Sequence, residues 1–235
     1  MKQVIFRFYA ELNDFLPPEK RMTAFPFSFD GKQSVKHLIE ALGVPHTQVD
    51  LVLINGLSAR FAEKPADGDR ISVYPMFESF DVAPVSRVRP RPLRVTRFVA
   101  DAHLGRLAAY LRMLGFDTLY RNDFQDDELA AISASGRRIL LTRDRDLLKR
   151  RAVTHGHFVR ETSARLQLAE VVSRFDLSGS IKPFTRCMKC NRLLHRAGQL
   201  TRCRDCGNLY WEGSHHSRMQ RLIAQVVGRV KHGVS

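Results

Sequence analysis

No stretch of this 235-residue chain approaches the roughly 20 consecutive apolar residues that a membrane span requires, so no transmembrane helix is expected. The N-terminal "MKQVIFRFYAELNDF" carries charges throughout and lacks the apolar core and cleavage site of a secretory signal, which makes a cytoplasmic protein the expectation. Cysteine is scarce: four residues, all near the C-terminus and grouped as two Cys-x-x-Cys pairs. In a reducing compartment that grouping reads as metal binding rather than as disulfides. Acids are scarce only in the second part of the chain. Residues 1–86 hold 9 Lys+Arg against 11 Asp+Glu, whereas residues 87–235 hold 29 against 13, and 25 of those 29 are Arg. Arginine suits bidentate phosphate contacts, so a basic second part is the electrostatic footprint of a nucleic-acid partner, with a solvated basic surface as the plain alternative.

What is present is enough for one large domain or two small ones, at 44% hydrophobic residues. A break falls in "VAPVSRVRPRPLRV", where three prolines and four arginines with little apolar periodicity read as a linker. The expected boundaries are a domain over 1–82, a linker over 83–94, a second domain over 95–180, and a cysteine segment with a terminal helix over 181–235. In the first domain "QVIFRFYA" alternates as a strand, and "PFSFDG" gives a second strand with a turn at Asp30-Gly31. "SVKHLIEALG" is a helix capped by Ser34 and stopped by Gly43. "VDLVLING" and "DGDRISVYPMF" add two strands. The order β-β-α-β-β is that of a β-grasp domain. In the second domain strands ("VTRFVAD", "FDTLY", "RRILLT", "HGHFVR") alternate with helices ("AHLGRLAAYLRMLG", "DDELAAISASG", "RDLLKRR", "SARLQLAEVVSRF"). This pattern predicts an α/β fold with a parallel sheet covered by helices on both faces.

Function in such a sheet gathers beyond the carboxyl ends of the strands. Asp101 ends the first strand of the second domain, and Asp144 and Asp146 follow "RILLT". Asp126, at the start of the intervening helix, could join them. Several carboxylates at one point repel one another, and a shared Mg²⁺ or Mn²⁺ relieves the repulsion. Such an ion would also bridge to a phosphodiester, with Arg106, Arg143 and Arg145 holding phosphates. Each residue has a plainer reading. Asp144 and Asp126 are good helix caps, and Arg106 lies on a helix face. The spacing of Cys187, Cys190, Cys203 and Cys206 is more specific: two knuckles twelve residues apart present four thiolates to a structural Zn²⁺. Tyr210 and Trp211 beside them could stack on bases or pack on the ribbon.

Two resemblances add to this reading. "VLINGLSAR" followed by "ADGDRISVYPMF" resembles the ubiquitin-like sulfur carriers of molybdopterin and thiamine synthesis over residues 1 to about 80. Those carriers end in Gly-Gly. This chain continues "ESFDVAPV", so a binding or positioning role, with a protein partner for the N-terminal domain, replaces sulfur carriage, and an accessory folding unit is the plain alternative. "RFVADAHLGRLAAYLRMLGFDTLYRND" with "RILLTRDRDLL" resembles the Mut-seven C-terminal ribonuclease family, a branch of the PIN-like nucleases, from about Arg97 to the C-terminus. The resemblance implies a PIN-like three-layer α/β/α domain with a C-terminal zinc ribbon. It also implies a catalytic Mg²⁺ or Mn²⁺ held by Asp101, Asp144 and Asp146, with Asp126 as the additional acid, and RNA rather than DNA as substrate. A non-catalytic RNA-binding module is the alternative.

Overall fold

The structure is a computed structural model and describes residues 1–75, 84–88, 95–197, 200–211 and 213–232. Most of the expected linker lies outside the described residues. The chain divides into two compact units, Met1–Pro92 with Asp144–His157, and Leu93–Arg143 with Phe158–Ser235.

The first unit is built on β1 (Lys2–Phe8), β2 (Ala24–Phe29), α1 (Val35–Ala41), β3 (Leu51–Ile54), β4 (Leu57–Ser58) and β5 (Arg70–Tyr74). Its sheet runs β2-β1-β5-β3-β4, with β1 and β5 parallel and the other neighbours antiparallel. This is the β-grasp arrangement. Alternation in β1 sends Val4, Phe6 and Phe8 inward, where Phe6 and Phe8 stack on each other and on Phe25. Helix α1 begins where Ser34 accepts from the His37 amide and turns Val35, Leu38 and Ile39 into the same core. Three 3-10 turns (Ala10–Phe15, Pro18–Lys20, His46–Gln48) and the two-residue β4 carry too little periodicity to be read from sequence.

The second unit opens with β6 (Arg97–Ala100), a 3-10 turn (Ala102–Leu104), α2 (Gly105–Met113), β7 (Asp117–Tyr120), α3 (Asp126–Gly136) and β8 (Ile139–Thr142). The chain then runs through α4 (Arg145–Lys149), which belongs to the first unit, and β9 (Gly156–Phe158), and returns to the second unit with α5 (Ala164–Arg174). The sheet order is β7-β6-β8-β9, and β6 is parallel to both β7 and β8. Strand periodicity splits the burial. Phe98, Ala100, Ile139 and Leu141 join a core with Leu107 and Leu111 of α2 and Leu168 and Val172 of α5. Val99 and Leu140 point to the opposite face, equally buried, where α3 packs on β6 and β8. Helices therefore cover both faces, as expected.

The C-terminal part holds a small antiparallel sheet, β10 (His195–Ala197), β11 (Leu200–Arg202) and β12 (Leu209–Tyr210), followed by α6 (Ser214–His232). Helix α6 packs on α5, and its Leu222 and Val226 enter the core of the parallel-sheet domain. Gly115, at φ +96°, ends α2, and the chain at Lys182 passes so close that a Cβ there would collide with the Lys182 carbonyl oxygen.

Candidate active site and metal centre

Strand β6 runs out at Ala100. The Asp101 amide still donates to Leu141 O (3.0 Å), which extends the parallel pairing by one residue. That places Asp101 beside the carboxyl end of β8. The hydroxyl of Thr142, fully buried at the end of β8, donates to Asp101 Oδ2 at 2.6 Å. The hydroxyl thereby fixes the carboxylate at the strand ends.

The other acids are held locally. Asp144 caps α4: its Oδ1 accepts from the amides of Asp146 (2.7 Å) and Leu147 (3.3 Å). Asp146 turns toward Lys149 Nζ at 2.9 Å, which holds its carboxyl below the usual range. Asp126 is the first residue of α3, with Asp127 and Glu128 after it, where negative charge suits the helix dipole. Among the described residues, no three carboxylates bring their oxygens within 4.8 Å of one another; only the cysteine quartet forms so tight a group. Of the basic residues singled out by sequence, Arg106 is exposed on α2. Arg143 Nη1 donates to Arg160 O at 3.0 Å and also to Glu161 O. The Arg145 guanidinium lies 5.0 Å from the centroid of the Phe15 ring.

The cysteines do meet. Cys187 and Cys206 stand 3.5 Å apart at sulfur, Cys190 and Cys203 3.3 Å. Four sulfurs about 2.3 Å from a tetrahedral zinc lie about 3.8 Å from each other, so the quartet suits a soft divalent ion such as zinc. The two knuckles are built alike. Asn191 N donates to Cys187 O (2.9 Å) and Gly207 N to Cys203 O (3.0 Å), with φ of +68° at Asn191 and +73° at Gly207. Burial alone would raise the Cys187 thiol. Hydrogen bonds from the Tyr210 hydroxyl, the backbone around Cys190 and the Cys206 thiol outweigh it and bring the thiol down to about 6. Burial and the neighbouring thiols push Cys190 up to about 12. Tyr210 Oη takes a hydrogen bond from Met188 N (3.0 Å) and sits 3.2 Å from Cys187 Sγ, so this ring packs on the ribbon, while Trp211 is exposed. The His216 ring lies against Phe184, tilted by 40° with the centroids 4.5 Å apart. The side chain of His215 lies outside the described residues.

A second set of residues ties the first knuckle to the sheet. Buried Arg112 donates to Thr118 O (2.9 Å), Met188 O (3.0 Å) and Lys189 O (2.8 Å). Asn191 accepts from Thr118 N (3.0 Å) and donates to Asp117 Oδ1 (2.8 Å), pairing with the outer edge of β7. Sequence reasoning missed these residues. The one available signal was a cation, Arg112, set between Leu111 and Met113 near the end of α2.

The chain thus combines a β-grasp domain, a parallel-sheet domain with an aspartate anchored at the strand ends, and a ribbon that gathers four cysteines. The Mut7-C RNAse domain model matches residues 96–199 and 192–223, and the Mut7-C ubiquitin model matches residues 1–81. The RNAse-domain match spans more than half of the chain, and the chain belongs to the Mut7-C RNAse domain family. No curated protein matches the chain. Two solved structures are similar in part. The crystal structure of H. volcanii small archaeal modifier protein 1 is 21% identical, covering 33% of this chain and 100% of that one with a TM-score of 0.27. A crystal structure of SAMP1 from Haloferax volcanii is 20% identical, covering 33% and 99% with a TM-score of 0.27. Among the described residues no helix is long and apolar enough to cross a membrane.

Proposed function

We propose that this protein is a metal-dependent ribonuclease that hydrolyses RNA phosphodiester bonds, with Asp101, Asp144 and Asp146 as ligands of Mg²⁺ or Mn²⁺ and Asp126 as the additional acid. The observation that carries the reading is the 2.6 Å bond from Thr142 to Asp101. It ties the end of β6 to a residue only two positions before Asp144, a reach of about 7 Å of extended chain. Carboxylate oxygens are the hard ligands these ions take, and Asp101 contributes an oxygen beyond the one that Thr142 engages. When bound, the ion activates water and neutralises charge on the leaving oxygen. The chain's own part would be to present these carboxylates to the ion, and to hold the phosphates with Arg106, Arg143 and Arg145. A new phosphorus–oxygen bond forms from water as the bond to the ribose oxygen breaks.

The tetrathiolate has no open position, so its zinc is structural rather than catalytic. We take the domain limits as 1–82, 95–180 and 181–235 around a linker at 83–94. The basic second part fits a nucleic-acid partner, and membership in the Mut7-C RNAse domain family supports RNA rather than DNA; the paired cysteines fit a cytoplasmic protein, with a protein partner for the β-grasp domain. A non-catalytic RNA-binding role is the second reading, favoured by the local engagement of Asp144 and Asp146. Incubation of labelled single-stranded RNA with Mn²⁺ separates the two, comparing wild type with Asp144→Asn. Asparagine still caps a helix, so the fold is kept while the charge is removed. Cleavage lost with binding retained is expected. Equal binding and no products from either protein would establish the binding role instead.

A further inference from the structure

The segment Asp144–His157 carries two of the proposed ligands, yet it belongs with residues 1–92 to the first compact unit. Its only helix, α4, has five residues and cannot persist without tertiary support. The β-grasp domain supplies that support. Helix α4 packs on the 3-10 turn His46–Gln48. His46 Nε2 lies 3.0 Å from Val153 O, and Gln48 Nε2 donates to Gly156 O at 3.3 Å. Both side chains are buried, at 8% and 2% exposure, and His46 is itself held by Glu40 Oε1 at 2.7 Å from Nδ1. The Arg145 guanidinium covers the Phe15 ring and donates to Phe15 O at 3.4 Å. Leu147, Leu148 and Val153 are fully or almost fully buried.

From this geometry we infer that the β-grasp domain is a positioning module for the acid-bearing segment, with His46 and Gln48 as its positioning residues. The inference rests on the proposed ligand role of Asp144 and Asp146. Both buried side chains find their partners on carbonyls about 107 residues away, so the turn and the acid-bearing segment satisfy each other's buried polar groups. Carboxylates that repel each other reach a productive geometry only on a fixed support. The N-terminal domain then serves catalysis in cis, through the backbone it pins, without touching substrate.

The test uses the full zinc-loaded chain and the pair His46→Ala and Gln48→Ala, singly and together, with His46→Gln as the conservative variant. Amide hydrogen exchange across 144–157 is expected to rise about tenfold or more in the double variant, with the ribbon strands unchanged as a folding control. On single-stranded RNA, kcat is expected to fall at least about fivefold with KM unchanged, and the Mn²⁺ concentration for half-activity to rise. His46→Gln, which can still donate to Val153 O, recovers part of the loss. Unchanged exchange, or faster exchange with kcat intact, overturns the positioning role. A wild type that cleaves no RNA sinks the nuclease reading instead, and the exchange arm alone then decides whether the turn holds the segment.

Discussion

Replacing Asp117 by asparagine removes one charge from a network that joins the edge of the parallel sheet to the first cysteine knuckle. The Asp117 carboxylate receives Arg138 through two bonds of 2.8 and 3.2 Å, and Asn191 at 2.8 Å, with Arg186 at 3.9 Å. Arg138 and Asp117 are 11% and 20% exposed at their side chains, so the pair is largely out of water. An amide at this position offers one oxygen where two are used and turns its NH₂ toward donors. Breaking a buried pair from one side costs about 3 kcal/mol, the lower end for such pairs, because the guanidinium is left unpaired. For a chain of this size that is a loss of about 6–12 °C in melting temperature, read by calorimetry of the zinc-loaded protein. Burial alone would raise the Asp117 carboxyl. The hydrogen bonds and charges of Arg138, Asn191 and Arg186 outweigh it and hold the group below its ordinary value. A carboxyl depressed in the folded state stabilises it above the unfolded value of about 3.9 and loses that contribution as pH falls through the folded one. The gap between wild type and Asp117→Asn therefore narrows as pH is lowered below about 4. A variant that melts within 2 °C of wild type at pH 7 (about 1 kcal/mol or less), or a gap that persists unchanged into acid, refutes this account of the network.

Three further outcomes are expected. Metal analysis of the purified chain should find one zinc per molecule, and Cys190→Ser should lose it along with protection of the knuckle amides; a full zinc complement in Cys190→Ser contradicts the tetrathiolate. Gly115→Ala should lower stability by at least about 2 kcal/mol, since it adds positive-φ strain to a Cβ collision with Lys182 O, and near wild-type unfolding in urea would show that the turn relaxes. Trp211→Ala should leave the melting temperature alone and weaken single-stranded RNA binding by roughly five- to a hundredfold in fluorescence anisotropy, the value of one base–aromatic stack; unaltered affinity removes Trp211 from the interface.

Much of the fold was legible because burial imposes short periods. Val4, Phe6 and Phe8 alternate as strand residues must, and Ser34 and Gly43 bracket α1 as a cap and a stop do. The knuckles were legible because Cys-x-x-Cys spacing is itself the geometry of a metal turn. The site was less so. Asp144 had a plain reading as a helix cap beside the metal-ligand one, and it does accept from the amides of Asp146 and Leu147, while a lysine three residues on captures Asp146, which the sequence reading did not foresee. The Thr142–Asp101 bond spans 41 residues and the His46–Val153 contact 107, distances over which no local pattern speaks. Arg112 was hidden because its partners are backbone carbonyls, which leave no mark on the sequence, and Asn191 because Thr118 and Asp117 lie 73 and 74 residues away.

The most direct test of the central claim is Mn²⁺ binding to the zinc-loaded chain, followed by loss of the free-ion electron paramagnetic resonance signal. Wild type is expected to take up Mn²⁺ saturably at neutral pH, and Asp101→Asn to abolish that uptake while its zinc content stays the same. Uptake that is absent from wild type, or identical in Asp101→Asn, contradicts a carboxylate-held cation at the strand ends.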